Sequence, residues 1–174
     1  MRALTVVPGV ADSARLDEVP EPDPAEGEVL IQAQALGICG TDEEILRGGH
    51  GAPPPGSDRL ILGHESLGRV IEAPSASGLS NGDWVCTIVR HPDPVPCESC
   101  AVDEWDMCQN GRYTEHGIKG RHGFAVERYR ADRRFVVPVD RQLGERGVLL
   151  EPASIVAKAW EQVERIGRGA RSQP

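Results

Sequence analysis

Residues 29–42 read VLIQAQALGICGTD. Val29–Ile38 alternates apolar and polar residues, the period of a strand with one face buried. Gly37–Gly40 interrupts that pattern. Thr41-Asp42-Glu43-Glu44 then has the form of a capping box, so a short helix is expected from Thr41 to about Arg47. Cys39 falls just before that helix, whose positive end favours thiolate over thiol. A thiolate is a metal ligand, although a cysteine at a strand end serves equally as a small buried apolar residue.

On either side, the chain is punctuated by turns. It has 174 residues with 20 Gly and 14 Pro but only two Phe and two Tyr, which favours short strands over a helical bundle. Strands are expected at Met1–Val7, Leu60–Leu62, Gly68–Glu72, Asp83–Val89, Phe124–Tyr129 and Arg134–Val139. Glu18–Glu28 and Gly48–Asp58 read as a turn region and an exposed loop. Arg90–Gly120 has few apolar positions and no period, so a lobe of loops is expected there. Glu145–Ile166 reads as helix, in two pieces divided at Pro152, with Ile155, Ala159, Val163 and Ile166 on one face. Gly167–Pro174 reads as a linker or frayed end. These elements define a β-rich α+β fold, for which a partly open barrel is one way to manage strand edges.

Composition narrows the function. The net charge of -8, from 27 acidic and 19 basic residues, argues against nucleic acid as the main partner. No stretch reaches the roughly 18 apolar residues that span a bilayer, and MRALTVVPGVADSARLDEV lacks the apolar core of a secretory signal. A cytoplasmic protein is expected. Five cysteines in a reducing compartment then suggest metal ligands or buried thiols; Cys86, in WVCTIV, reads as buried packing.

Cys39 acquires chemical interest from two later positions. His64-Glu65 follows Gly63, a residue that lets backbone pass close to other groups. Glu151 stands in the apolar run GVLLEPASIV, where a carboxylate is costly unless paired or bound to metal. Thiolate, imidazole and carboxylate are the donors of a catalytic zinc that keeps one position open. Taken singly, each has a plain alternative: a buried thiol, an exposed turn, an acid near a helix start.

Their flanking residues are more specific. GICGTD, LGHESLGRV, a cysteine-bearing lobe and LLEPAS, in that order, resemble the medium-chain zinc alcohol dehydrogenase superfamily over Met1–Gln162. DMCQNGRYTEHGIKGRHGF together with LLEPASIVAKAWEQ is most similar to its glucose 1-dehydrogenase branch. The resemblance implies a GroES-like catalytic domain over residues 1–150, with a metal lobe at 90–120, and a helix and linker at 151–174 leading towards a dinucleotide-binding domain. It implies a catalytic zinc (Zn2+) held by Cys39, His64, Glu65 and Glu151. It also implies that Thr41 relays the substrate's proton and that Glu115 and Glu151 meet sugar hydroxyls. The reaction implied is oxidation of a sugar hydroxyl, at C1 of glucose, with hydride passing to NADP or NAD. Another polyol, alcohol or threonine dehydrogenase, or a non-catalytic zinc-binding remnant, are the alternatives. A homo-oligomer of the full-length protein is compatible with this reading.

The lobe departs from the family pattern. Cys97, Cys100 and Cys108 form C-x2-C-x7-C, whereas the superfamily's structural zinc uses C-x2-C-x2-C-x7-C. Pro94 occupies the first position, and Asp93 is the nearest replacement for the fourth ligand. A zinc on Cys97, Cys100, Cys108 and Asp93, a lobe without metal, and a redox-active CxxC all remain open. His50, His91, His116 and His122 fall in expected loops and are assigned to solvent, His122 being the nearest to the substrate side the resemblance implies. Arg90 and Lys119 read as surface charges. No strand, GxGxxG turn and helix N-terminus occur together to hold a pyrophosphate. The chain is therefore expected to bind zinc without turning over by itself.

Overall fold

The computed structural model describes residues 1–171. The long strand expected from the alternation is β3 (Val29–Gly37). It is an interior strand of an antiparallel sheet with β5 (Glu65–Glu72), β6 (Trp84–Thr87), β10 (Arg128–Ala131) and β11 (Val136–Pro138), in the order β10-β3-β5-β6-β11. A second antiparallel sheet, β2-β1-β4, is built from β1 (Arg2–Val6), β2 (Arg15–Glu18) and β4 (Leu60–Ile61). The segment 125–127 joins the two into a curled half-barrel: Leu4 N on β1 donates to Ala125 O (2.8 Å), and Ala33 N on β3 donates to Glu127 O (3.1 Å).

The main core lies where the sheets face each other. Ala3 and Ile61 of the small sheet meet Val29, Ile31, Val70, Val85 and Val136 of the large one, with Phe124 and Tyr129 between them. Burying each large side chain contributes about 1.5–3 kcal/mol. Expectation and structure differ at Phe124–Tyr129. Its first residues bridge to β1 through Ala3 and Val126 without forming a regular strand, and β10 begins only at Arg128. Among the described residues there is no Rossmann fold, and no helix is long and apolar enough to cross a membrane.

The lobe carries more order than a run of loops. β7 (Arg90–His91), β8 (Thr114–His116) and β9 (Gly120–Arg121) form a small sheet in which β7 pairs antiparallel to β8 and β9 parallel to it.

The C-terminal helix is divided elsewhere than at Pro152. A 3-10 segment covers Arg141–Leu149, and α2 (Leu150–Arg171) then runs unbroken. Pro152 stands in its first turn, where a missing N–H costs nothing. Residues 167–171 of the expected linker are helical, and its last three, 172–174, lie outside the described residues. The face carrying Ile155, Val163 and Ile166 is open to solvent, as is Trp160 beside it. What α2 turns inward is charge. Arg165 meets Glu104 at 2.6 Å and Lys158 meets Asp106 at 3.0 Å, which ties the helix to the lobe.

Candidate metal and substrate site

The pairing of β3 with β5 builds the site. Irregularities in register near Ala33–Ala35 bring Gly37 opposite Glu65 at the strand ends. Gly37 is required there: a Cβ on it would lie 1.8 Å from Glu65 Oε2, so the carboxylate rests on the bare glycine. Two residues on, Cys39 is the N-cap of α1 (Gly40–Leu46). The cap thus precedes the expected Thr41 by two residues, because Asp42 Oδ2 accepts the Cys39 N–H at 3.0 Å. Thr41 is in the first turn, half-buried.

His64 immediately precedes β5. Gly63, with φ +87, makes the turn that presents it. The Gly63 carbonyl sits tight under the turn that leaves the lobe: a Cβ on Gly117 or Gly123 would fall 2.4 or 2.3 Å from the Gly63 oxygen. Phe124 N–H donates to that same oxygen at 2.9 Å.

These constraints bring Cys39 Sγ to 3.1 Å from His64 Nε2. Cys39, His64 and Glu65 each offer a ligand atom, and the three atoms lie within 4.8 Å of one another. Behind the imidazole, Asp42 Oδ1 faces His64 Nδ1 at 3.4 Å, too long for a full hydrogen bond, and both atoms are buried with no hydrogen-bond partner. Burial pulls the His64 pKa down, but Asp42 and Cys39 outweigh it and hold the value at about 9. Burial pushes the Asp42 carboxyl up, and its contacts with His64 and the Cys39 amide bring it below the usual range. Sequence reasoning gave Asp42 no role at the metal. The available signal was its place three residues after Cys39, where a carboxylate can return to a helix N-cap.

Glu151, at the start of α2, is outside the set of three but feels it. Burial raises its pKa, His64 opposes that, and Glu65 and Asp42 add to it. Glu115 is on β8, where Arg90 Nε donates to its Oε1 at 3.0 Å. The same guanidinium donates to Asp106 O at 2.9 Å and lies 4.1 Å over the Tyr113 ring. Arg90 is thus part of the framework around Glu115 rather than a free surface charge.

In the lobe, the sulfurs of Cys97, Cys100 and Cys108 lie within 4.8 Å of one another. The carboxylate of Asp93 falls outside that set. Cys86 is buried, as read from the sequence.

The histidines depart from expectation. His91 is buried on β7 and stacks on Phe135 at 3.8 Å. His116, on β8, packs against Phe124 at 4.6 Å. Their Nε2 atoms are 3.2 Å apart, and His116 Nδ1 is 2.7 Å from the His122 carbonyl oxygen. A carbonyl only accepts, so Nδ1 of His116 carries hydrogen and its Nε2 accepts from His91. Burial lowers the pKa of both, to about 3 for His91 and about 4 for His116. His122 is exposed beside a cavity of about 720 Å³ that Arg59, Arg128 and Tyr129 also line, away from Cys39 and His64.

An antiparallel half-barrel whose strand ends gather a thiol, an imidazole and a carboxylate defines a domain of the GroES-like class with a candidate metal site. The chain belongs to the alcohol dehydrogenase GroES-like domain family, whose sequence model matches residues 25–141. It is 46% identical over 162 residues to glucose 1-dehydrogenase of Thermoproteus tenax, covering 92% of this chain and 45% of the relative. It is 44% identical over 167 residues to glucose 1-dehydrogenase of Methanocella arvoryzae, covering 95% and 46%. Among solved structures, Haloferax mediterranei glucose dehydrogenase in complex with NADP, Zn and gluconolactone superposes with a TM-score of 0.83 at 39% identity, covering 93% of this chain and 45% of that one. The chain spans about half the length of the curated relatives it matches.

Proposed function

We propose that this chain is the metal- and substrate-holding part of a zinc-dependent sugar dehydrogenase that oxidises C1 of glucose. The observation that carries the reading is the convergence of Cys39 Sγ and His64 Nε2, 3.1 Å apart, beside Glu65. The donor set fits zinc. It offers one sulfur, one imidazole nitrogen and carboxylate oxygen, and the far nitrogen of the imidazole is backed by Asp42, as is usual for a ligating histidine. Zinc, when bound, supplies Lewis acidity that lowers the pKa of a hydroxyl, and NADP or NAD supplies the hydride acceptor.

The chain's own residues do the rest. Cys39, His64 and Glu65 hold the ion, and Glu151 approaches from α2. Thr41 Oγ1 takes the proton of the sugar hydroxyl and passes it outward. Glu115, fixed by Arg90, accepts from the other hydroxyls, as does Glu151. The glucose dehydrogenase relatives, one of them solved with NADP, Zn and gluconolactone, support this substrate class. Residues 1–150 form the catalytic unit, and 151–174 lead towards a nucleotide-binding part. The exposed apolar face of α2 supports that division. Five free cysteines favour a reducing compartment, the cytoplasm.

The test pairs metal analysis with kinetics. Cys39→Ser should lower the bound zinc of the chain by one equivalent. A full-length protein carrying this sequence should turn over glucose ahead of simple alcohols, while residues 1–174 alone should not turn over. Unchanged zinc in the variant, or no activity on any sugar of a hexose and pentose panel, would refute the reading.

A further inference from the structure

The lobe's three sulfurs lie close enough to grip one ion. A closed structural zinc site takes four protein ligands. Pro94 stands where the fourth cysteine of the four-cysteine pattern would be, and it has no ligating side chain. The Asp93 carboxylate lies outside the set of mutually close ligand atoms. Its side chain is fully buried, Oδ1 accepts the Val95 N–H at 2.8 Å, and Oδ2 faces Arg112 Nε at 3.4 Å without a hydrogen bond. The group that Asp93 turns to the cluster is its amide N–H, which faces the Cys100 sulfur. The Gln109 N–H does the same for Cys97 Sγ at 3.4 Å. Amide donors on sulfur stabilise thiolate charge. Cys97 and Cys108 are half-buried and only Cys100 is buried, so the cluster reaches water.

We propose that the lobe holds a thiophilic divalent cation, zinc or cadmium, through the thiolates of Cys97, Cys100 and Cys108, with the fourth corner left to an exchangeable ligand from solvent. Asp93 braces the loop through Val95 and Arg112 and supports sulfur through its main chain. The closed site of the family does not fit these residues. The open corner admits water or a small thiol, and the three thiol protons pass to solvent on binding. This site is independent of Cys39 and His64.

The full chain carrying Cys39→Ser isolates the lobe. Cadmium titration, followed by the ultraviolet sulfur-to-metal band, should saturate at one equivalent. X-ray absorption of the zinc form should give three sulfur donors and one light donor, and excess 2-mercaptoethanol should convert the light donor to sulfur. Asp93→Asn should change cadmium affinity by less than about threefold, whereas Cys97→Ser should lower it by about a hundredfold or more. A light donor that resists the thiol identifies a protein oxygen and overturns the proposal. So does a tenfold or greater loss in Asp93→Asn when circular dichroism shows the native fold. Absence of cadmium from the folded, reduced chain overturns it as well. The absorption and thiol measurements need no change in the lobe, so they decide the matter even where a cysteine variant misfolds.

Discussion

Acidification should unfold this protein through two histidines that contact no proposed ligand. His91 and His116 are neutral and share one hydrogen between Nε2 atoms 3.2 Å apart. A proton added to His116 would set two N–H groups against each other, in surroundings made by Phe124 and Phe135. Their folded pKa values, about 3 and about 4, are below the ordinary 6.5. A base whose pKa is depressed by folding stabilises the native state fully above its unfolded value, and that contribution is lost as pH falls towards the folded value. Between pH 7 and pH 5 the unfolded chain gains about 0.7 proton at each residue. The cost is about 2 kcal/mol apiece, and about 3 kcal/mol for the pair once coupling and the partial exposure of His116 are allowed for. His64 acts in the opposite sense. Its raised value near 9 gives stability that is complete below 6.5 and is lost as pH rises through 9. Urea unfolding in EDTA at pH 7, 6 and 5 should therefore show stability falling with acid. His91→Gln, which keeps a neutral donor, should flatten that slope by about half. His64 is common to both proteins and cancels. An unchanged slope, or an NMR titration placing His91 above pH 6, would refute the reasoning.

Gly37→Ala should displace the Glu65 carboxylate and weaken zinc binding at Cys39 and His64 by about 10–100-fold in a chelator competition, with the fold kept. Asp42→Asn should lower the His64 pKa from about 9 towards 6.5 in the zinc-free protein, read by NMR, and weaken zinc by about tenfold. Because the imidazole must shed its proton to ligate, zinc affinity should rise by up to about tenfold per pH unit until about pH 9; a flat profile would exclude His64 as a ligand. Leu67→Ala, at a fully buried position in the small cluster with Cys86 and Val139, should cost about 2–5 kcal/mol in urea unfolding.

What the sequence revealed was what local pattern encodes. β3 ends within a residue of its expected limit because its alternation is long and uninterrupted. Cys39 and His64 converge, as the reading required, because β3 and β5 pair at their ends. β2 escaped notice: RLDE has one apolar residue, and only its partner β1 makes it a strand. The lobe strands are two or three residues long, too short to show a period, so His91 and His116 were assigned to solvent. Ile155, Val163 and Ile166 do share a helix face, but periodicity says only that a face is apolar, not what covers it. Asp42's bond to the Cys39 amide is local and legible from the i, i+3 spacing, but its place behind His64 was hidden because the two meet only once the strands are paired.

The bare backbone crossing of Gly63 with Gly117 and Gly123 has a consequence for redesign. There is no side chain at this crossing to absorb a shift, so a few tenths of an ångström imposed on the 117–123 turn is passed directly to the peptide preceding His64. Grafting a foreign loop onto that turn would therefore move His64 relative to Cys39 unless both glycines travel with the graft.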